Sequence, residues 1–309
     1  MNDNRQPGDR PKKAVIDGLL LLNKPAGMSS NQALQKVKRM LGARKAGHTG
    51  SLDPAATGML PICFGEATKV SAYLLDADKT YRVTAKLGEA TETGDAEGRV
   101  TETAGVPDWS ATQWASTLNT FLGESEQVPP MFSALKKDGK RLYELARKGE
   151  TVERQPRQIR VSDIGLLELS GDRLVFRVRC SKGTYVRTLV EDIARAAGTV
   201  AHTAHLHRET VAGFRSEQML DMRGIKWLAD TGYKGLSGHL LAPDIALEKW
   251  RRCSLDQGDS ERFCGGQAVP GNLDGTGLIR VYDDSDRFLG VGELTGDGTV
   301  APRRVFKLA

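Results

Sequence analysis

Twelve residues, Gly47-His48-Thr49-Gly50-Ser51-Leu52-Asp53-Pro54-Ala55-Ala56-Thr57-Gly58, constrain this 309-residue chain more than any other stretch. The three glycines allow positive φ or close backbone approach, while Pro54 fixes its own φ and pushes Asp53 out of the α region. The segment therefore reads as a shaped loop that presents one carboxylate. An Asx-turn, in which Asp53 only caps its own backbone, is the competing explanation for an Asp-Pro pair in a loop.

Length and composition fit one large domain plus a small one, with 39% hydrophobic and 27% charged residues. Lys and Arg number 44 against 39 Asp and Glu, and the net charge of +5 permits a polyanionic partner. No apolar run reaches the roughly 18 residues of a membrane span, and Met1 onward lacks the apolar core of a secretory signal, so a cytoplasmic protein is expected with no membrane partner. Cys63, Cys180, Cys253 and Cys264 are scattered without C-x-x-C spacing, which favours reduced core thiols over disulfides or zinc ligands.

Residues 1–16 are polar and aperiodic and read as a disordered tail. Leu19 to Leu22 reads as a buried strand ending at the turn Asn23-Lys24-Pro25-Ala26-Gly27. Ser29 or Ser30 caps a helix through Leu41, with Leu34, Val37 and Leu41 on one face and Gly42 as its stop. Tyr81 to Leu87 alternates strictly, so Tyr81, Val83, Ala85 and Leu87 share a buried face. Helical spacing returns from Ser110 to Leu122. Residues 129–157 then carry eight Lys or Arg against four Asp or Glu, interleaved with Phe132 and Tyr143. This basic insertion suits an RNA grip, with Arg141 to Lys148 as a short helix; a solvated charged face is the alternative.

Strands are expected at Ile159 to Leu169 and Leu174 to Cys180, leading into a helix that stops at Gly198. Tyr185 and Arg187 thereby stand at a strand-to-helix junction, where a helix N-terminus favours anions. The region after Trp250 reads as a β-rich module with short strands at Gly265 to Val269, Leu278 to Tyr282, Phe288 to Leu294 and Val300 to Val305. From Arg251 to Ala309 eight basic residues face nine acidic ones, so charge alone does not mark it as an RNA binder. His202-x-x-His205-x-His207 has metal-ligand spacing, but no Cys and no carboxylate other than Glu209 stands nearby to complete a tetrahedral set.

Four motifs in order, Leu22-Asn23-Lys24-Pro25-Ala26-Gly27-Met28-Ser29-Ser30, Gly47 to Pro54, Lys79-Thr80-Tyr81-Arg82-Val83 and Lys182-Gly183-Thr184-Tyr185-Val186-Arg187, resemble those of the TruB family of tRNA pseudouridine synthases. The likeness covers nearly the whole chain. Gly58 to Lys69 and the basic insertion resemble the bacterial stand-alone branch, and the C-terminal segment resembles a PUA module. The resemblance implies an α+β fold: a mixed, mainly antiparallel catalytic sheet with flanking helices at residues 17–249, carrying the insertion 129–157, and a PUA-like domain at 250–309. It further implies action on uridine 55 in the T-arm loop of tRNA, with no cofactor, no metal and no guide RNA. A monomer is the default expectation.

Pseudouridine formation breaks the bond between C1′ and N1, turns the base and rejoins it through C5, so no group is lost and a nucleophile suffices. Attack of Asp53 at C1′, attack at C6 and removal of the 2′ proton all remain open. By resemblance Arg187 pairs with Asp53, offsetting the rise in pKa that burial brings, and lysine would substitute poorly for its planar fork. Tyr81 resembles the residue that stacks on the target base and assists proton transfer at C5. Because the uridine must be flipped out, His48 is implied to fill the space vacated, with Tyr185 and Leu206 lining the pocket. Lys24 and Pro25 support the loop, and Asp95 helps to orient the site. One departure stands out: Leu206-His207-Arg208 replaces the family's usual Leu-Arg-Arg. A folding-chaperone role is compatible with the enzyme reading. Two rival readings are a non-enzymatic tRNA chaperone and a nucleoside or glycoside hydrolase, the latter generally needing a second carboxylate.

Overall fold

In the computed structural model of the chain, residues 16–231 and 233–308 are described. The expected tail, residues 1–16, lies outside them except for its last member: Ile16 is buried in the core rather than solvated. Strand β1 (Gly18–Lys24) leads through a turn to helix α1 (Ser30–Met40). Ser29 caps that helix, its hydroxyl accepting from Gln32 N while Gln32 Oε1 accepts from Ser29 N. Then come β2 (Ala46–His48), β3 (Thr57–Phe64), α2 (Ser71–Asp76) and β4 (Lys79–Leu87). A small hairpin, β5 (Glu89–Thr91) and β6 (Val100–Thr103), precedes α3 (Ala111–Asn119) and β7 (Gly123–Gln127).

The basic insertion folds as a second hairpin, β8 (Lys136–Lys137) and β9 (Lys140–Arg141), followed by α4 (Leu142–Ala146), a shorter helix than the expected 141–148 because Arg147 already caps it. Strands β10 (Arg157–Ser170) and β11 (Arg173–Cys180), helix α5 (Val186–Ala196), strand β12 (Ala201–Val211), and helices α6 (Met222–Thr231) and α7 (Tyr233–Ser237) complete this part.

Among the described residues, eight of these strands form one sheet in the order β1-β3-β12-β4-β11-β10-β7, with β2 added on β3. Every pairing is antiparallel except β12 with β3. Strand β4 lies between β12 and β11, and its inward residues Tyr81, Val83, Ala85 and Leu87 join Leu174, Phe176 and Val178 of β11 and Leu189, Val190 and Ile193 of α5 in the main core. The unbroken apolar run of β1 has a different cause. Leu20 and Leu22 pack towards α1 and α6 on one side, while Leu19 and Leu21 on the other join a cluster that includes Phe288 and Phe306 of the C-terminal region. A strand covered on both faces has no polar side to alternate with.

The C-terminal sheet runs β13 (Arg252–Ser254), β15 (Gly277–Tyr282), β16 (Phe288–Leu294), β17 (Thr299–Val305) and β14 (Val269–Pro270). The strand expected at Gly265–Val269 is a correction. Asp256 caps an intervening helix, α8 (Gln257–Cys264), accepting from Asp259 N at 2.8 Å; Gly265 and Gly266 end that helix, and only Val269 and Pro270 are extended. This small domain is tied back by Lys69, which donates to Val305 O at 2.7 Å, and by Glu66, which accepts from Lys307 N at 2.7 Å. Among the described residues no helix is long and apolar enough to cross a membrane.

Gly58 shows how tightly the sheet closes on the loop. It sits at φ +100° opposite Arg208, where a Cβ would lie 2.2 Å from Arg208 O. Gly58→Ala is therefore expected to lower unfolding free energy by about 2–4 kcal/mol, from overpacking and backbone strain together. Gly105→Ala, with nothing within 4 Å of the added methyl, serves as the control and is expected within about 0.5 kcal/mol of wild type. Guanidinium unfolding of both variants checks this, and equal midpoints would contradict it.

Candidate active site

The loop that carries Asp53 is held by groups far apart in sequence. Ser30 Oγ accepts from Leu52 N at 2.7 Å and donates to Leu52 O at 3.1 Å. Lys24, with no exposed surface, donates from Nζ to Pro25 O at 2.9 Å, Met28 O at 2.8 Å and Pro54 O at 3.2 Å. Arg208, 1% exposed, donates from Nε to Met59 O at 2.7 Å and from Nη2 to Gly50 O at 2.9 Å, gripping both ends of the loop. Six side-chain donations to carbonyls replace the hydrogen bonds that regular structure would supply. Asp53 O itself accepts from Ala56 N at 3.1 Å, so the turn is closed by backbone while the carboxylate points elsewhere.

It points to Arg187. Nε of Arg187 lies 3.1 Å from Asp53 Oδ2, and the guanidinium side chain is 6% exposed whereas the carboxylate remains 43% exposed. The other guanidinium nitrogens are also engaged: Nη1 donates to Thr93 O at 2.6 Å and lies 3.5 Å from Asp95 Oδ2, and Nη2 donates to Phe132 O at 2.8 Å. A buried arginine with every nitrogen directed is fixed in position, so it fixes its carboxylate partner. Asp95 Oδ1 in turn accepts from Thr93 Oγ1 at 2.5 Å and Glu97 N at 3.1 Å.

Beside this pair opens a cleft of about 300 Å³ lined by Asp53, Tyr81, Tyr185, Arg187, Leu206 and Arg208, among others. Strand β4 supplies Tyr81, the start of α5 supplies Tyr185 and Arg187, and β12 supplies Leu206 and Arg208. Asp95 faces a smaller cavity next to Asp53 and Arg187. Lys24 and His48 are not among the residues lining the cleft: Lys24 lies beneath the loop, and half-buried His48 sits on β2 with its Nδ1 buried and without a partner among the described residues.

Burial pushes the Asp53 carboxyl above the ordinary carboxylate range; Arg187 and Lys24 pull against that rise and Asp95 adds to it. Burial lowers Lys24 to about 8 although Asp53 opposes the shift. The Tyr81 phenol is pushed up, chiefly by burial, and stays protonated at neutral pH, with the Arg208 guanidinium beside it. Burial lowers the His48 imidazole and Arg208 adds to the effect, so that ring is neutral.

The three histidines of β12 go separate ways. His202 Nδ1 lies 2.9 Å from Glu89 O, His207 Nδ1 lies 2.8 Å from Thr57 Oγ1, and His205 is exposed. Among the described residues no three His, Cys, Asp or Glu side chains converge as a metal-holding group. His207 thus joins β12 to β3. Sequence reasoning gave Arg208, Thr93, Phe132 and Gln127 no part in holding this site; the last is 3% exposed and bonds both Tyr185 N, at 2.8 Å, and Tyr185 O, at 3.1 Å. The backbone acceptors leave no mark in a sequence.

The fold aligns with a chain of the "Crystal Structure of a Cbf5-Nop10-Gar1 Complex" at a TM-score of 0.75 and 24% identity, covering 99% of this chain and 91% of that one, a likeness of fold alone. The architecture is that of a pseudouridine synthase with a curled β-rich C-terminal domain. Residues 38–186 match the TruB family pseudouridylate synthase N-terminal domain, and residues 252–306 match the C-terminal domain of pseudouridine synthase II TruB. The tRNA pseudouridine synthase B of Marinomonas sp. (strain MWYL1) is 47% identical over 290 residues, 93% of this chain and 94% of its own. That of Nitrosococcus oceani is 48% identical over 291 residues, 94% of each. The chain belongs to the TruB family of pseudouridine synthases.

For a reaction carried by an ionised Asp53 on a loop held by a protonated Lys24, these shifts predict a bell-shaped dependence of rate on pH. The acid limb, where Asp53 loses its charge, is expected above the value of about 4 typical of a free aspartate. The alkaline limb, where Lys24 loses its proton from the loop carbonyls, is expected near pH 8. Single-turnover rates from pH 4 to 9.5 check both; a flat profile across that range would contradict the assignment.

Proposed function

We propose that the protein isomerises uridine 55 in the T-loop of tRNA to pseudouridine, without a guide RNA, using Asp53 as the nucleophile. The observation that carries this reading is the Arg187–Asp53 pair at the edge of a cleft also lined by Tyr81. The N1–C1′ bond breaks and the C5–C1′ bond forms. The C5 proton leaves to water, N1 takes one up, and Asp53 attacks and is expelled again, so atoms and electrons balance.

Each neighbour has a part. Arg187 keeps Asp53 charged and aimed through its planar fork. Tyr81 stacks on the uracil and, protonated, assists exchange at C5. Tyr185 and Leu206 hold the flipped nucleotide, His48 fills the place it leaves, and Asp95 braces Arg187. The basic insertion and the PUA-like domain, residues 250–309, contact the T-arm backbone. A cytoplasmic monomer meets these requirements. A tRNA-folding role for the same binding surface is compatible with catalysis. The hydrolase alternative finds less support, because Asp95 is committed to Arg187, Thr93 and Glu97 N and so is not free to act as a general acid.

An unmodified T-arm hairpin tritiated at uracil C5 tests the reading, since rejoining through C5 releases the label to water. Wild type is expected to release it from the target uridine. Asp53→Asn is expected to bind the hairpin within about threefold of wild type and to lose at least about 10⁴-fold in rate, as removal of a covalent nucleophile does. Equal release by the two proteins would overturn the assignment, and binding without release by wild type would favour the non-enzymatic chaperone.

A further inference from the structure

Two residues of the site, Tyr185 and Arg187, open helix α5, and the sequence gives that helix no cap of its own. Tyr185 occupies the N-cap position, yet a phenol cannot reach back to a first-turn N–H, and the cap makes no side-chain hydrogen bond. The backbone of that N-cap residue is instead held from another element. Gln127, the last residue of β7, is 3% exposed and turns its amide on the Tyr185 backbone: Oε1 accepts from Tyr185 N at 2.8 Å and Nε2 donates to Tyr185 O at 3.1 Å.

Gln127 is itself anchored, since it pairs with Arg157 of β10 at the edge of the main sheet. Five residues further on, Phe132 O accepts from Arg187 Nη2 at 2.8 Å. The segment from Gln127 to Phe132 therefore grips the backbone of Tyr185 at one end and the guanidinium of Arg187 at the other. It is also the segment through which the chain enters the basic insertion. Arg154, near the insertion's far end, donates to Pro129 O at 3.1 Å, and Tyr143 N in α4 donates to Ser133 O at 3.1 Å.

We infer that Gln127 is a positioning residue for the reaction: by clamping the Tyr185 peptide it sets the start of α5 so that the Arg187 fork meets Asp53. This rests on the proposed role of the Arg187–Asp53 pair. The clamp is specific in its chemistry, because an amide supplies one acceptor and one donor to the two peptide groups on either side of Tyr185, and neither a carboxylate nor an apolar side chain does both. Loss of the clamp frees the first turn, the guanidinium withdraws from Asp53, and the carboxyl titrates at higher pH.

The test compares wild type with Gln127→Leu in single-turnover tritium release from the T-arm hairpin, each across the pH range, with hairpin affinity measured separately. Wild-type release in the same assay secures the proposed reaction independently, so failure of that reading shows as absence of release from wild type. For Gln127→Leu the expected result is a rate constant about 10- to 100-fold lower, hairpin affinity within about threefold, and an acid limb displaced upward by about half a pH unit or more. Gln127→Asn, an amide one methylene too short for both atoms, carries the same test where the leucine variant does not fold, with the same direction of displacement. An unchanged rate, or a lowered rate with the acid limb unmoved, overturns the inference, because a purely structural glutamine would leave the titration of Asp53 where it was.

Discussion

A buried guanidinium that spends every nitrogen on a fixed partner is the constraint on which the site depends. Arg187 meets Asp53 through Nε, Thr93 O and Asp95 through Nη1, and Phe132 O through Nη2. Removing such a charge from water is costly unless it is paired and hydrogen-bonded, and here carbonyls from two loops and two carboxylates meet that need. The consequence is directional. Asp53 is open to the cleft on one side and held on the other, so it is presented to a substrate in one orientation.

The scaffold is arranged around that presentation. The parallel pairing of β12 with β3 sets Arg208 opposite Gly58, and Arg208 then reaches both Gly50 O and Met59 O. Lys24 closes the loop from below through Pro54 O. Two buried cations near Asp53 work through carbonyls and do not neutralise it by contact, which leaves Arg187 as its ion-pair partner. Burial raises the carboxyl and Arg187 opposes that rise, so the arginine favours the charged form of the acid.

Elements with a single decisive physical signal were legible in the sequence. Strand β4 has one buried face and alternates; α1 follows a serine pair able to cap it, of which Ser29 does so; the Gly47 to Gly58 loop shows its turns in its glycines and proline. Elements whose signals conflict were not. The histidines of strand β12 stand at ligand-like spacing in sequence, yet a register shift falls between Thr203 and His205, and His202 and His207 serve unrelated contacts while His205 is exposed. Helix α8 hid behind Gly265 and Gly266, which end it. The motifs brought Asp53, Tyr81, Tyr185, Arg187 and Leu206 to one cleft, but Arg208 and Gln127 were invisible because a buried arginine and a buried glutamine at a strand end read as surface residues.

The dependence of Asp53 on Arg187 is open to direct observation by following the Asp53 carboxyl carbon through a pH titration in ¹³C-aspartate-labelled protein, with Asp53→Asn to assign the signal. The account predicts that wild-type Asp53 titrates above an ordinary aspartate while remaining ionised at pH 7, and that Arg187→Gln raises the midpoint by a further 1 to 3 units or so. A midpoint identical in the two proteins would show that the guanidinium does not hold the charge on the acid, and would contradict the account at its centre.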